Sequence, residues 1–216
     1  MFKIEKLDLL VAIYIFCIAV SELMGAKTFP LLSIGSFKLN SSVAIFVVPL
    51  IYTINDVITE VYGKERTRSI IRSGLVVIIM IFLASIIFTQ LPPSPRFELS
   101  EKSYDAIFGL SARISAASIT AFALAEFLDV YVFAALRKSL GKKSLWLRNN
   151  LSNFASQAVD TIIFMTLAFY ALDKGIVENL TFLLSLIIPY YLLKCVMSIL
   201  ETPLVYAGVK WLKEKK

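Results

Sequence analysis

Residues 43–62 read Val-Ala-Ile-Phe-Val-Val-Pro-Leu-Ile-Tyr-Thr-Ile-Asn-Asp-Val-Ile-Thr-Glu-Val-Tyr. The stretch is mostly apolar, and its length is what a helix needs to cross a lipid bilayer. It nevertheless holds two acids, Asp56 and Glu60, which are costly inside a membrane. The apolar residues therefore predict a membrane-spanning helix, and the two acids indicate that this helix also has a functional role.

Five further apolar segments occur in this chain of 216 residues, of which 58% are hydrophobic and only 18% charged. An ordinary soluble domain has about a quarter of its residues charged, so a disordered tail, a coiled coil and an ordinary soluble enzyme are excluded. We expect an all-α integral membrane protein in which residues 1–216 form a single polytopic domain. Six transmembrane helices are predicted near residues 8–26, 43–62, 70–90, 108–136, 149–172 and 182–209.

The basic residues divide unequally between the two sides of the membrane that six spans create. Fifteen belong to one side: Lys3, Lys6, Lys64, Arg66, Arg68, Arg72, Arg137, Lys138, Lys142, Lys143, Arg148, Lys210, Lys213, Lys215 and Lys216. Five belong to the other: Lys27, Lys38, Arg96, Lys102 and Lys174. Basic loops stay on the cytoplasmic side, so both termini are predicted to be cytoplasmic. This orientation accounts for the net charge of +6, and no nucleic-acid partner is expected.

Missing residue types exclude several kinds of chemistry. The chain has no histidine, which rules out catalysis by Ser-His or Cys-His pairs. Its two cysteines, Cys17 and Cys195, lie in apolar stretches, where cysteine usually packs as a small apolar residue. We therefore expect no metal site and no cofactor. The chain also lacks a G-x-x-x-x-G-K-[ST] loop, so it cannot hydrolyse ATP itself.

Nine ionisable side chains lie within the predicted spans. Each costs about 2.5–3.5 kcal/mol at the centre of a membrane helix, so they are expected to face one another, polar partners or a wet cavity. Their spacing supports this, because Asp56 and Glu60 lie one helical turn apart and Tyr52 precedes them by another turn. The nine are Glu22, Asp56, Glu60, Arg113, Glu126, Asp129, Asp160, Lys194 and Glu201.

One face of the fifth span is especially polar. Asn149, Asn153, Gln157 and Asp160 recur at steps of four, four and three residues, which places them along one side of a helix. The alternative is that these groups only hold the helices together through hydrogen bonds. We predict instead a substrate-binding site with ten members: Tyr52, Asp56, Glu60, Glu126, Asp129, Asn149, Asn153, Gln157, Asp160 and Lys194.

Asp160 and Lys194 lie near the middle of the fifth and sixth spans, and their opposite charges at matching depth predict an ion pair. A second regularity is a faint internal echo. Glu22 and Glu126 are 104 residues apart, as are Asp56 and Asp160. A shift of three spans reverses orientation, so the echo suggests an inverted repeat of three spans plus three with a site at the repeat interface.

Three motifs carry a resemblance to a known family. The run Pro49-Leu-Ile-Tyr-Thr-Ile-Asn-Asp-Val-Ile-Thr-Glu-Val-Tyr-Gly63 resembles the hallmark segment of the queuosine precursor transporter family, also called the vitamin uptake transporter family. Leu145-Trp-Leu-Arg-Asn-Asn-Leu-Ser152, followed by Ser156-Gln-Ala-Val-Asp-Thr-Ile-Ile-Phe164, is similar to the second hallmark. Asp129-Val-Tyr-Val-Phe133 with Leu136-Arg137 fits the segment between them, and the resemblance extends from about residue 20 to 200.

The resemblance implies a six-span transporter of the cytoplasmic (inner) membrane, not an enzyme. It also implies import of a queuosine precursor, 7-cyano-7-deazaguanine or 7-aminomethyl-7-deazaguanine. Two positions depart from the family pattern: Glu22 replaces a common asparagine and Glu126 a common glutamine. Both changes add acid, so the exact substrate stays open. Two other functions also stay open, a vitamin-binding membrane subunit that needs a separate energising ATPase and an intramembrane aspartyl enzyme. The oligomeric state is open too, with a homo-oligomer as one alternative.

Overall fold

The structure is a computed structural model that describes residues 4–35, 37–140 and 145–213, with side chains throughout except at residues 34, 37, 126, 127, 129–140, 145–153 and 197–202. Long helices make up most of it. They are α1 (Lys6–Met24), α2 (Val48–Tyr62), α3 (Lys64–Phe88), α4 (Glu101–Leu140), α5 (Leu145–Phe169) and α6 (Ile176–Lys213).

Several of these helices are long and apolar enough to cross a membrane. Within the described residues there are five such segments: Lys6–Met24, Val43–Tyr62, Lys64–Phe88, Glu98–Ala125 and Ile176–Val196. The described part of α5 adds a shorter apolar stretch, Phe154–Phe169. The predicted class, a largely helical protein of several membrane-length helices, is confirmed. The six-span count, the inverted repeat, the cytoplasmic termini and the single domain stay predictions.

Five helices begin earlier than the predicted spans do, because polar turns extend them beyond the apolar segment: α1, α3, α4, α5 and α6. The third span was expected from residue 70, whereas α3 begins at Lys64 and includes the whole basic turn. The chain reverses between α2 and α3 at Gly63, where φ is 83°. A side chain rarely adopts this left-handed conformation, so glycine suits the turn. Across the turn, the hydroxyls of Thr59 and Thr67 are 2.8 Å apart and share a hydrogen bond.

A β-hairpin joins α1 to α2, where the predicted spans leave only a loop. Its strands are β1 (Thr28–Ile34) and β2 (Phe37–Ser42). Hydrogen bonds fix its base: the Ser42 hydroxyl donates to the carbonyl of Gly25 at 2.6 Å, and the amide of Val43 donates to the carbonyl of Lys27 at 3.0 Å. A short 3-10 turn, Val43–Phe46, then leads into α2.

The chain divides into two compact units. The first comprises Met1–Phe29, Ser42–Ser115 and Val196–Lys216, and the second comprises Pro30–Ser41 and Ala116–Cys195. The core of the first unit is an apolar cluster contributed by α1, α2 and α3, with these buried members: Tyr14, Ile18, Ile54, Ile58 and Ile70.

The beginning of α1 lies beside the end of α6 within the first unit. The ammonium of Lys6 donates to the carbonyl of Trp211 and sits 5.2 Å from the centre of its indole ring. A hydrogen bond and a cation–π contact therefore join the beginning of α1 to the end of α6.

The second unit is organised around α5 and α6. Met165 and Leu186 are fully buried. Asn179, in the first turn of α6, ties this helix to the loop that follows α5: its amide oxygen accepts from the backbone N–H of Ala171 at 2.8 Å. Its amide nitrogen donates to the carbonyl of Ala171 at 2.8 Å and to those of Lys174 and Gly175 at 3.2 Å. A buried amide satisfied in this way holds the loop in one conformation.

The close approach of α1 and α3 depends on Gly74. A Cβ atom at this position would lie 2.6 Å from Cδ1 of Ile18 and 3.0 Å from Cε1 of Tyr14. We expect Gly74→Leu to destabilise the protein by about 1–3 kcal/mol, as overpacking does in other cores, with a lower thermal midpoint in detergent. Gly109 in α4 is the matched control because its Cβ would meet open space. Equal midpoints for Gly74→Leu and Gly109→Leu would contradict this packing.

Candidate functional site

The candidate site is centred on an ion pair between α5 and α6. The ammonium of Lys194 donates to Oδ2 of Asp160 at 2.7 Å. The side chain of Lys194 is only 7% exposed, whereas that of Asp160 is 31% exposed. The predicted pair is therefore present, and its acid keeps a surface that a ligand can reach.

The burial of this pair has an electrostatic reason. A lysine or aspartate alone at the centre of a membrane helix costs about 2.5–3.5 kcal/mol, and their mutual attraction offsets much of this cost at hydrogen-bonding distance. Because Asp160 is a carboxylate, it has acceptor sites beyond the one that Lys194 occupies. The pair is thus stable enough to exist in an apolar surrounding and still offers acceptors to a polar ligand.

Further polar side chains lie one helical turn away from the ion pair, on both α5 and α6. Gln157 lies one turn before Asp160 on α5 and is partly buried, and its backbone carbonyl accepts from the Thr161 hydroxyl at 2.8 Å. On α6, Tyr190 lies one turn before Lys194 on the same face and is buried. The predicted member Gln157 therefore lies on the helix that carries Asp160, within a turn of it.

Asn40 and Ser185 were not singled out in the sequence, although the structure brings them together in the same unit. The side-chain amide of Asn40, on β2, donates to the hydroxyl of Ser185, on α6, at 2.9 Å. The two residues are 145 positions apart. A single hydrogen bond between residues so far apart leaves no pattern in the sequence, so sequence spacing offers no signal for this contact.

The acidic face of α2 belongs to the first unit. Asp56 and Glu60 are exposed and Tyr52 is half-buried. These three residues follow one side of the helix, whereas Ile54 and Ile58 on the other side are buried in the core. The predicted polar face of Tyr52, Asp56 and Glu60 is therefore present on α2. That these residues line one cavity with residues of α5 and α6 stays a prediction.

Some predicted site residues fall where the structure describes no side chains. They are Glu126, Asp129, Asn149 and Asn153, and Glu201, another acid of the predicted spans, lies in the same category. Their helices are described, but their contacts are not, so their membership of the site stays a prediction. Among the described residues, no group of three or more histidine, cysteine, aspartate or glutamate side chains is arranged to hold a metal ion.

Several membrane-length helices, with a lysine and an aspartate paired between two of them, are typical of a multi-pass membrane transporter. Comparison with known sequences agrees: the family described as "Putative vitamin uptake transporter" matches residues 42–208. The chain belongs to this family, which the three motifs had indicated.

Three relatives carry a more specific name. A "Probable queuosine precursor transporter" of Bacillus subtilis (strain 168) is 30% identical over 176 residues, which cover 81% of this chain and 74% of the relative. A protein of the same name from Haemophilus influenzae is 28% identical over 73% of this chain and 67% of the relative. The "Queuosine precursor transporter" of Escherichia coli (strain K12) is 32% identical over 58% of this chain and 53% of its own length. No solved structure matches the chain significantly.

Proposed function

We propose that this protein imports a 7-deazaguanine precursor of queuosine, in the cyano or the aminomethyl form, across the cytoplasmic membrane. The observation that carries the proposal is the Asp160–Lys194 pair, because its acid is partly accessible within otherwise apolar helices. The names of the three relatives support the same class of substrate.

The chemistry of a 7-deazaguanine suits these side chains. Its pyrimidine ring presents an N1–H and an exocyclic amine side by side, and a carboxylate accepts hydrogen bonds from both. The neighbouring ring carbonyl needs a donor, which Lys194 or the amide of Gln157 supplies. We infer that the Asp160 carboxylate accepts hydrogen bonds from the N1–H and the amine. The Lys194 ammonium meanwhile donates one of its hydrogen bonds to the ring carbonyl. Tyr190 offers an aromatic ring of the kind on which nucleobases stack.

A neutral base also suits the electrostatics of this site. It exchanges donors and acceptors with Asp160 and Lys194 without adding net charge, so the empty and loaded carriers have similar electrostatic energies. The aminomethyl form is cationic and requires a further acid, for which Glu126 is a candidate in the same unit. The cyano form requires none, and we therefore take 7-cyano-7-deazaguanine as the first ligand to test.

The proposal is tested by reconstituting the purified chain alone into liposomes. We expect the liposomes to accumulate labelled 7-cyano-7-deazaguanine or its aminomethyl form, with guanine as the control ligand and protein-free liposomes as the blank. Binding without uptake would instead favour a substrate-binding subunit that needs an ATPase partner. Neither binding nor uptake of either 7-deazaguanine would overturn the proposed substrate.

A further inference from the structure

Helix α6 contains a built-in weak point. Pro189 lies inside it and has no N–H to donate to the carbonyl four residues earlier, which is that of Ser185. Bends in long helices are concentrated at such prolines. The two parts of α6 on either side of Pro189 are therefore joined by an interrupted hydrogen-bond ladder.

The β-hairpin contacts α6 at the same residue. The amide of Asn40 donates to the Ser185 hydroxyl at 2.9 Å, and that hydroxyl donates to the carbonyl of Phe182 at 2.6 Å. Ser185 is fully buried. The weak point of the helix and the contact from the hairpin thus coincide at Ser185.

The depth of this contact is unusual for a strand. Ser185 lies nine residues after Ile176, which is about 13 Å along the helix at 1.5 Å per residue. This position is inside the membrane-length segment Ile176–Val196. Non-helical backbone is tolerated at such depth only against protein or beside a wet cavity. The contact with α6 is therefore part of what allows β2 to reach this level.

The contact lies on the far side of α6 from the ion pair. Lys194 is nine residues beyond Ser185, and nine residues of an α-helix correspond to two and a half turns. Asn40 consequently does not occupy the space around Lys194. Any influence of the hairpin on the ion pair has to pass through α6 itself, across Pro189.

We propose that the hairpin is a latch on α6. The Asn40–Ser185 hydrogen bond holds the part of α6 that precedes Pro189, and release of this bond lets that part bend at Pro189 and exposes the buried Lys194 of the Asp160–Lys194 pair to substrate. Asn40 is then a positioning residue for transport that never touches the substrate. The role in substrate access rests on the proposed transport function.

Hydrogen exchange tests the latch without any substrate. Loss of one neutral hydrogen bond corresponds to about a fivefold change in an opening equilibrium. We expect Asn40→Ala to speed amide exchange about fivefold in a peptide covering residues 182–193. Ser33→Ala, which changes an exposed polar residue of the same hairpin, is expected to leave that peptide unchanged. Equal exchange in Asn40→Ala and the parent would overturn the latch.

Reversible cross-linking tests the link to transport. Asn40→Cys and Ser185→Cys are combined with Cys17→Ala and Cys195→Ser, and a short bis-methanethiosulfonate joins the introduced thiols. We expect uptake to be lost on cross-linking and restored by a reductant, because a locked latch prevents bending. Lys174→Cys with Glu178→Cys is the matched control, since these exposed side chains form a pair at 3.2 Å between the loop and the first turn of α6.

The outcomes of the two tests are distinct. Normal uptake by the cross-linked Asn40–Ser185 variant would overturn the gating role. A parent that takes up no 7-deazaguanine would overturn the proposed substrate instead, and hydrogen exchange would still decide whether the latch exists.

Discussion

Lys194→Ala is expected to abolish uptake and to lower expression sharply. The variant leaves the carboxylate of Asp160 without its partner at 2.7 Å. Loss of one member of a buried pair typically costs 3–5 kcal/mol. We expect a loss of stability of about 3 kcal/mol, the lower end of this range, because Asp160 is partly exposed. The measurements are the yield of folded protein from membranes and the uptake per folded molecule.

A second variant separates charge balance from substrate binding. Lys194→Ala combined with Asp160→Asn removes both charges, so we expect expression to recover while uptake stays absent. Uptake by the double variant at the parent rate would mean that the pair only holds α5 and α6 together. Normal uptake by Lys194→Ala alone would contradict the role of the pair altogether.

The second large effect concerns the ligand. We expect the analogue of 7-cyano-7-deazaguanine that lacks the exocyclic amine to bind at least about 100-fold more weakly to the parent protein. A site built to accept a hydrogen bond rejects a ligand without the donor, because the buried acceptor is then left unpaired. Competition against the labelled parent ligand measures the ratio.

A control is obtained by comparing the same two ligands on the Asp160→Asn variant. In Asp160→Asn the acceptor pair is already altered, so the preference for the amine should largely disappear. A parent protein that binds both ligands equally would show that no acidic acceptor contacts this edge of the base.

The membrane-spanning class and the ion pair were predictable from the sequence. Apolar segments of spanning length can be recognised directly in a sequence, because a bilayer has a nearly fixed thickness. Asp160 and Lys194 were predictable as a pair because two opposite charges in adjacent spans have few other ways to avoid lipid. Both predictions rest on free-energy costs of polar groups in lipid that are large enough to exclude most other arrangements.

The hairpin and its contact were not predictable in the same way. Residues 28–42 have no clear alternation of apolar and polar side chains, and Pro30 and Gly35 favour a loop. Asn40 bonds to a residue 145 positions away, and one neutral hydrogen bond of about 1 kcal/mol leaves no periodic pattern in a sequence. The four-bond tie made by Asn179 escaped prediction for the same reason, although the loop it closes was foreseen.

The central claim is that the Asp160 carboxylate binds the 7-deazaguanine ring, and a binding titration in detergent tests it most directly. The parent, Asp160→Asn and Asp173→Asn are titrated with 7-cyano-7-deazaguanine, Asp173 being an exposed acid in the loop between α5 and α6. Each hydrogen bond to a charged group contributes about 1.5–3 kcal/mol. We therefore predict affinity at least about 100-fold weaker for Asp160→Asn, with Asp173→Asn unchanged. Asp160→Asn that folds and binds as tightly as the parent would contradict the account.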